Sequence, residues 1–372
     1  MLDATSQSNA MRRIVNHRNS LVEPTANSGG PRTPAAGQQE GAPVLVDTFG
    51  RTATDLRVSL TDRCNLRCSY CMPPEGLDWL PKPELLTDDE VVRLVGLAVR
   101  DLGVTEVRYT GGEPLLRRGL PGIVARTAEL SPRPQISLTT NGIGLDRLAG
   151  PLAEAGLDRV NVSLDTLDRA TFRRLAHRDR LGDVLAGLAA ARGAGLEPVK
   201  INAVLMRGVN DHEAVPLLRF CLEHGYRLRF IEQMPLDAQH GWTRENMVTA
   251  DEILDRLSAE FDLAPDEAHD RGSAPAETFL VGGGPETVGV IGSVTRPFCG
   301  ACDRVRLTAD GQVRNCLFAT EESNLRDALR GGATDTELAD RWRKAVWAKR
   351  AGHGIDDPSF LQPARPMSAI GG

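Results

Sequence analysis

The stretch Leu56-Arg57-Val58-Ser59-Leu60-Thr61-Asp62-Arg63-Cys64-Asn65-Leu66-Arg67-Cys68-Ser69-Tyr70-Cys71 runs a β-type segment straight into a loop that carries three thiols. In a βα barrel the C-terminal end of a strand is where active sites are assembled. The spacing is Cys-x3-Cys-x2-Cys, and three is the informative number. Structural zinc is normally closed off by four protein ligands, whereas a cubane iron-sulfur cluster held by three cysteines leaves one iron free to bind something else. A loop can wrap around a cube as a rigid helix cannot. The alternatives are a zinc site or three unrelated thiols, and no histidine lies between Arg51 and Arg173 to complete a zinc site.

Outward from this stretch, β-type runs alternate with helical patterns. Residues 56–61, 106–110, 135–139, 159–164, 199–205 and 227–231 read as six strands with helices between them, which predicts a parallel sheet. Capping boxes Thr87-x-x-Glu90 and Thr249-x-x-Glu252 mark two helix starts. After Leu263 comes a polar linker, then β-type runs at 278–281, 287–291, 304–308 and 313–315, with Asp310-Gly311 as a hairpin turn, and helical patterns at 325–329 and 338–348. The expected organisation is a disordered extension over 1–48, rich in Ser, Asn, Gly, Pro and Gln, a barrel over 49–262, a smaller part over 263–350 and a tail over 351–372.

That smaller part carries a second triad, Cys299-x2-Cys302-x13-Cys316, for which a zinc ribbon is the alternative. The seventh cysteine, Cys221, lies at helical apolar spacing with Val215 and Leu218 and reads as a core thiol. The 372 residues suffice for a barrel with an extension, and a net charge of −6 argues against coating nucleic acid. No apolar run approaches the roughly 20 residues of a membrane span. The N-terminal region around Arg12 and Arg13 lacks a secretory apolar core, so a reducing cytoplasm is expected, with a transit peptide as the alternative.

Cys64-x3-Cys68-x-Tyr70-Cys71 matches the radical S-adenosylmethionine (SAM) motif, and residues 56–321 resemble the GTP 3′,8-cyclase family of molybdenum cofactor biosynthesis. The resemblance implies an α/β fold, a partial (βα)6 TIM-like barrel with a C-terminal α+β extension that carries the second cluster. It implies two 4Fe-4S clusters, held by Cys64, Cys68 and Cys71 and by Cys299, Cys302 and Cys316, with SAM on the open iron of the first. Tyr70, Gly112 of Thr110-Gly111-Gly112-Glu113-Pro114, Ser163 and Met234 would contact SAM. Glu113 could receive its ammonium; taken alone, Gly-Gly-Glu-Pro is also a turn sequence. Arg57, Arg108, Thr139, Lys200 and Arg304-Val305-Arg306 would meet GTP, whose triphosphate needs several converging cations.

The chemistry so implied is removal of the ribose 3′ hydrogen by a 5′-deoxyadenosyl radical and attack on guanine C8, giving 3′,8-cyclo-7,8-dihydro-GTP. An electron donor, a downstream cyclic pyranopterin monophosphate synthase and a homodimer belong to the same expectation, with neither nucleic acid nor membrane as partner. Gly371-Gly372, otherwise a frayed end, would enter the active-site region and support activity, as would Arg304 and Arg306. The rival readings are a radical SAM peptide maturase with an auxiliary cluster and a non-catalytic zinc-binding protein.

Overall fold

Each barrel strand has two unlike faces, and this decides how the sheet sits. In the computed structural model, which describes residues 44–371, Leu56 and Val58 of β1 (Asp55–Ser59) are fully buried, while Arg57 lies between them on the other face. The same alternation recurs in β2 (Glu106–Thr110), β3 (Gln135–Thr140), β4 (Arg159–Ser163), β5 (Lys200–Val204) and β6 (Arg227–Ile231). One face offers Val107, Leu138, Val162, Ile201 and Phe230 to a single apolar core. The other offers Arg108, Thr139, Asn161, Lys200 and Arg229. Strands with period two must place such sets on opposite sides of the sheet.

The apolar face is covered by α1 (Asp88–Asp101), α2 (Leu120–Ala128), α3 (Leu145–Glu154), α4 (Arg169–Ala176), α5 (Leu181–Gly193), α6 (Ala214–His224) and α7 (Ala250–Ser258). Both expected capping boxes form: Thr87 accepts from the Glu90 N–H and Thr249 from the Glu252 N–H, each returned by the glutamate. Cys221 is fully buried in α6. The six strands pair in parallel and in sequence order. Parallel strands joined by helices make the partial (βα)6 barrel, and its polar, cationic concave face is left for ligands.

The C-terminal part does more than append hairpins. Strands β7 (Leu263–Pro265), β8 (Glu277–Val281) and β9 (Thr287–Ile291) form an antiparallel run whose last member pairs in parallel with β6. Strands β10 (Arg304–Leu307), β11 (Gln312–Arg314) and β12 (Ser323–Asn324) do the same on the other side, where β10 pairs in parallel with β1. The sheet order is β12-β11-β10-β1-β2-β3-β4-β5-β6-β9-β8-β7, open at both ends. Gly311, at φ +78°, turns the β10–β11 hairpin as the sequence predicts. The helices α8 (Arg326–Arg330), α9 (Asp335–Trp347) and α10 (Met367–Ile370) follow.

Residues 45–47, within the stretch expected to be disordered, are packed: Leu45 is buried, Val46 bridges Thr52, and Asp47 accepts from the Arg51 side chain at 2.6 Å. Residues 1–43 of the expected extension, and Gly372, lie outside the described residues. Among the described residues no helix is long and apolar enough to cross a membrane.

Candidate active site

The loop from Cys64 to Cys71 is held against α4, where Arg67 N donates to Ala176 O and Ser69 N to Leu175 O, each at 3.0 Å. The Arg67 guanidinium turns back to the carbonyls of Cys64 and Leu66, at 2.7 and 2.8 Å. Cys64 Sγ accepts from Leu66 N at 3.4 Å and Asn141 Nδ2 at 3.8 Å. The Tyr70 hydroxyl donates to Asp165 at 2.8 Å. All three thiols line one cavity with Tyr70, Gly112, Thr139 and Ser163. Burial raises the Cys64 and Cys68 thiols and pushes Cys71 up to about 12, so metal binding here must release protons.

The Gly-Gly-Glu-Pro loop serves this loop first. A Cβ on Gly112 would overlap the carbonyl oxygens of Asp62 and Arg63, and Gly112 N and Glu113 N donate to Thr61 O and Arg63 O at 2.8 Å. Glu113 is buried and accepts from Leu115 N, Thr140 Oγ1 and Asn141 N at 2.7 to 2.9 Å. Burial pushes its carboxyl up to about 7. Its oxygens therefore fasten β2 to β3, a use the sequence did not suggest.

The second triad owes its spacing to a hairpin. Cys302 stands just before β10 and Cys316 just after β11, so the thirteen intervening residues fold out and back and return the thiols to one end. Cys299 opens the short helical turn before them, and its carbonyl accepts from Arg51 Nη1 at 2.6 Å. Lys349 Nζ lies 3.3 Å from Cys302 Sγ, and Arg304 Nη1 3.6 Å from it. Burial would raise the Cys302 thiol, but these two cations bring it below its usual value.

The three thiols line a second cavity with Arg57, Arg108, Thr139, Met234, Arg304 and Arg306. Met234, expected beside SAM, thus belongs to this cavity. Thr139 and Met367 line both cavities, so the two adjoin. Among the described residues no three His, Cys, Asp or Glu side chains converge as a single metal ion would require. A cubane bound at three different irons makes no such demand, and N–H groups aimed at the sulfurs suit it.

A third and larger pocket, of about 630 Å³, occupies the N-terminal end of the strands and is lined by Lys200, Arg159 and Arg227, with residues 266–276 across it. Lys200, expected with the other GTP residues, lines this pocket alone, whereas Arg108, Arg229 and Arg304 line both it and the second cavity. Asp55 is a buried carboxylate among these cations, 3.7 to 3.9 Å from Arg57, Arg108 and Arg304, while Glu106 pairs with Arg159 at 3.0 Å and Asp303 with Arg304 at 3.6 Å. Burial would raise Asp55, yet the arginines hold it below its usual value. Burial lowers Arg57 well below the normal range, Arg229 to about 9 and Lys200 to about 7, with neighbouring cations adding to each.

Val305, expected at the substrate, turns its side chain into the apolar core on the face opposite Arg304 and Arg306. That leaves only its backbone for the cavity. Arg306 donates to Gly371 O and Arg304 to Ser273 O, and Ser59 Oγ donates to Ile370 O at 2.9 Å. The tail therefore reaches the inner face of β1, as far as Gly371. Arg229, Asn202, Lys349 and His353 escaped sequence reasoning. Arg229 had a signal, the Arg-Leu-Arg alternation on β6; Lys349 had none, because a lysine after a helix normally reads as solvated surface.

A strand-end cysteine triad on an open parallel barrel defines the radical SAM class, and the pattern of the Radical SAM superfamily matches residues 58–221. That of Molybdenum Cofactor Synthesis C matches 226–355. The GTP 3′,8-cyclase of Streptomyces coelicolor is 69% identical over 334 residues, 90% of this chain and 98% of that protein. The GTP 3′,8-cyclase 2 of Mycobacterium tuberculosis is 64% identical, over 88% and 92% of the two chains. The chain belongs to the GTP 3′,8-cyclase family. In fold alone it is similar to Streptococcus suis SuiB bound to precursor peptide SuiA, with TM-score 0.55 and 16% identity over 80% of this chain and 67% of that one. Family membership sets aside both the peptide-maturase and the zinc-binding readings.

Proposed function

We propose that the chain converts GTP to 3′,8-cyclo-7,8-dihydro-GTP, the first step of molybdenum cofactor biosynthesis, with its substrates arranged along the barrel axis. The observation that carries this reading is the series of cavities. A thiol triad at the C-terminal strand ends adjoins a second triad, whose cavity continues into a cationic pocket at the N-terminal ends. Cys64, Cys68 and Cys71 would hold the first 4Fe-4S cluster, and Cys299, Cys302 and Cys316 the second. When bound, cluster and SAM supply a 5′-deoxyadenosyl radical able to take a ribose hydrogen.

The protein's own part is position and charge. Tyr70, Gly112 and Ser163 face the first cavity and would orient SAM, while Met234 would meet it from the adjoining second cavity. Arg57, Arg108, Arg304 and Arg306 act on the buried Asp55, and Lys200 and Arg229 line the same cavities; even with Glu106, Asp266 and Asp303 also in the lining, these cations leave a surplus of positive charge that suits a triphosphate. A nucleotide anchored there by its phosphates would direct its ribose toward the first triad. Selection of one hydrogen among several then follows from distance. Gly371, held by Arg306, would close the inner wall beside β1. An external electron donor, a homodimer, a cytoplasmic location and delivery to a cyclic pyranopterin monophosphate synthase complete the proposal.

The test is anaerobic turnover with SAM, a chemical reductant and GTP deuterated at the ribose 3′ position. Deuterium appearing in 5′-deoxyadenosine is the expected result. Unlabelled 5′-deoxyadenosine would reject the abstraction site, and none at all from chain with both clusters in place would reject the reaction.

A further inference from the structure

Lys349 follows α9 by two residues and is only 4% exposed. Its ammonium spends its hydrogen bonds within one short segment: Nζ donates to Cys302 O at 3.2 Å, Cys302 Sγ at 3.3 Å and Arg304 O at 2.9 Å. None of these acceptors is a carboxylate. A buried ammonium needs a counter-charge, because removal from water is costly unless the charge is paired. The atom in its reach that can carry a full negative charge is the Cys302 sulfur. Arg304 Nη1 lies 3.6 Å from that same sulfur. The arrangement therefore suits Cys302 as a permanently ligating thiolate.

The first triad is built differently. Cys64 Sγ accepts from two neutral donors, Leu66 N and Asn141 Nδ2. Hydrogen bonds and net charge at the ligand sulfurs set the potential of an iron-sulfur cluster, and a cation beside it favours the more negative, reduced form. Resting on the reading of Cys299, Cys302 and Cys316 as a second cluster's ligands, we propose that Lys349 is a positioning residue that clamps Cys302 from the end of α9 and raises the reduction potential of that cluster. Lys349 lines none of the three cavities, so its effect reaches substrate through Cys302 and the backbone of Arg304.

The experiment is a redox titration followed by electron paramagnetic resonance on the full chain, reconstituted anaerobically, in a C64S/C68S/C71S background that leaves one cluster to observe. Lys349→Met, where it keeps the parent's iron, should titrate more negatively. At a fixed potential its reduced-to-oxidised ratio should fall about tenfold, equal to about 59 mV for one electron. Lys349→Arg, which keeps the charge, should stay within about twofold of the parent. An unmoved potential in K349M, or an equal shift in K349R, would overturn the proposal. Iron lost from K349M but kept by K349R supports the clamp; iron lost from both alike rejects a role for the charge. A parent without iron would instead refute the second-cluster reading, and the inference with it.

Discussion

Single residues on the inner face are tuned by each other's charge. Lys200, lowered to about 7 by burial and then by Arg229, Arg159, Arg108 and Arg227, is half neutral near neutral pH in the free protein. Between pH 7 and its unfolded value of 10.5 the unfolded chain binds the extra proton, so this group's contribution to stability rises with pH across that window. A bound polyphosphate favours the charged form and draws a proton in. GTP affinity should therefore weaken from pH 7 to pH 9, and calorimetry in buffers of different ionisation enthalpy should detect the proton uptake; Lys200→Met should flatten both. Arg229 donates to Asn202 at 3.0 Å and Asn161 at 2.8 Å, which aims it at the shared wall of the second and third cavities. Arg229→Met should raise KM for GTP about 10- to 100-fold, the worth of one charge-assisted hydrogen bond, while leaving the iron content intact. The alternation that exposed Arg57 and Arg108 in the sequence applies equally to Arg229. What no local pattern could show is that Lys200 lines the third pocket and not the second, where Arg57 lies, because depth along a strand depends on the register with its neighbours.

Among elements, the loops at the strand ends are braced on one another before any ligand arrives. The sequence assigned Gly112 to a bound cofactor; the structure also requires glycine because the backbone of residues 61–63 lies where a side chain would go. Gly112→Ala should displace the loop that carries Cys64 and leave the Cys299 triad whole. Iron after reconstitution should then fall to about half, the share of one of two like clusters, and loss of all or none would contradict this division. The box at α9, in which Thr334 accepts from the Glu337 N–H at 3.3 Å, passed unnoticed because its signature lies between Gly-rich residues and a mixed-charge run. Thr334→Ala should cost about 1 kcal/mol in denaturant melts. The hairpin behind Cys302 and Cys316 was legible through Asp310-Gly311, since an antiparallel return needs a turn that the sequence must encode locally.

On the scale of the whole molecule, the parallel pairings of β10 with β1 and of β9 with β6 were not legible. A parallel pair has no connecting turn to announce it, and its partners here stand far apart in the chain. The part expected as a separate extension is thus joined to both margins of the barrel sheet. A chain ended after residue 262 would leave two hydrophobic-backed edges unpaired; it should aggregate on expression and show no cooperative unfolding by calorimetry, whereas an autonomous barrel would do neither. The same pairing bears on how the protein is made. Roughly 250 residues must be added after β1 before β10 exists, which at roughly 5–20 residues per second takes roughly 12 to 50 s. Throughout that interval the nascent strand offers a bare margin, and the thiols of Cys64, Cys68 and Cys71 leave the ribosome long before those of Cys299, Cys302 and Cys316.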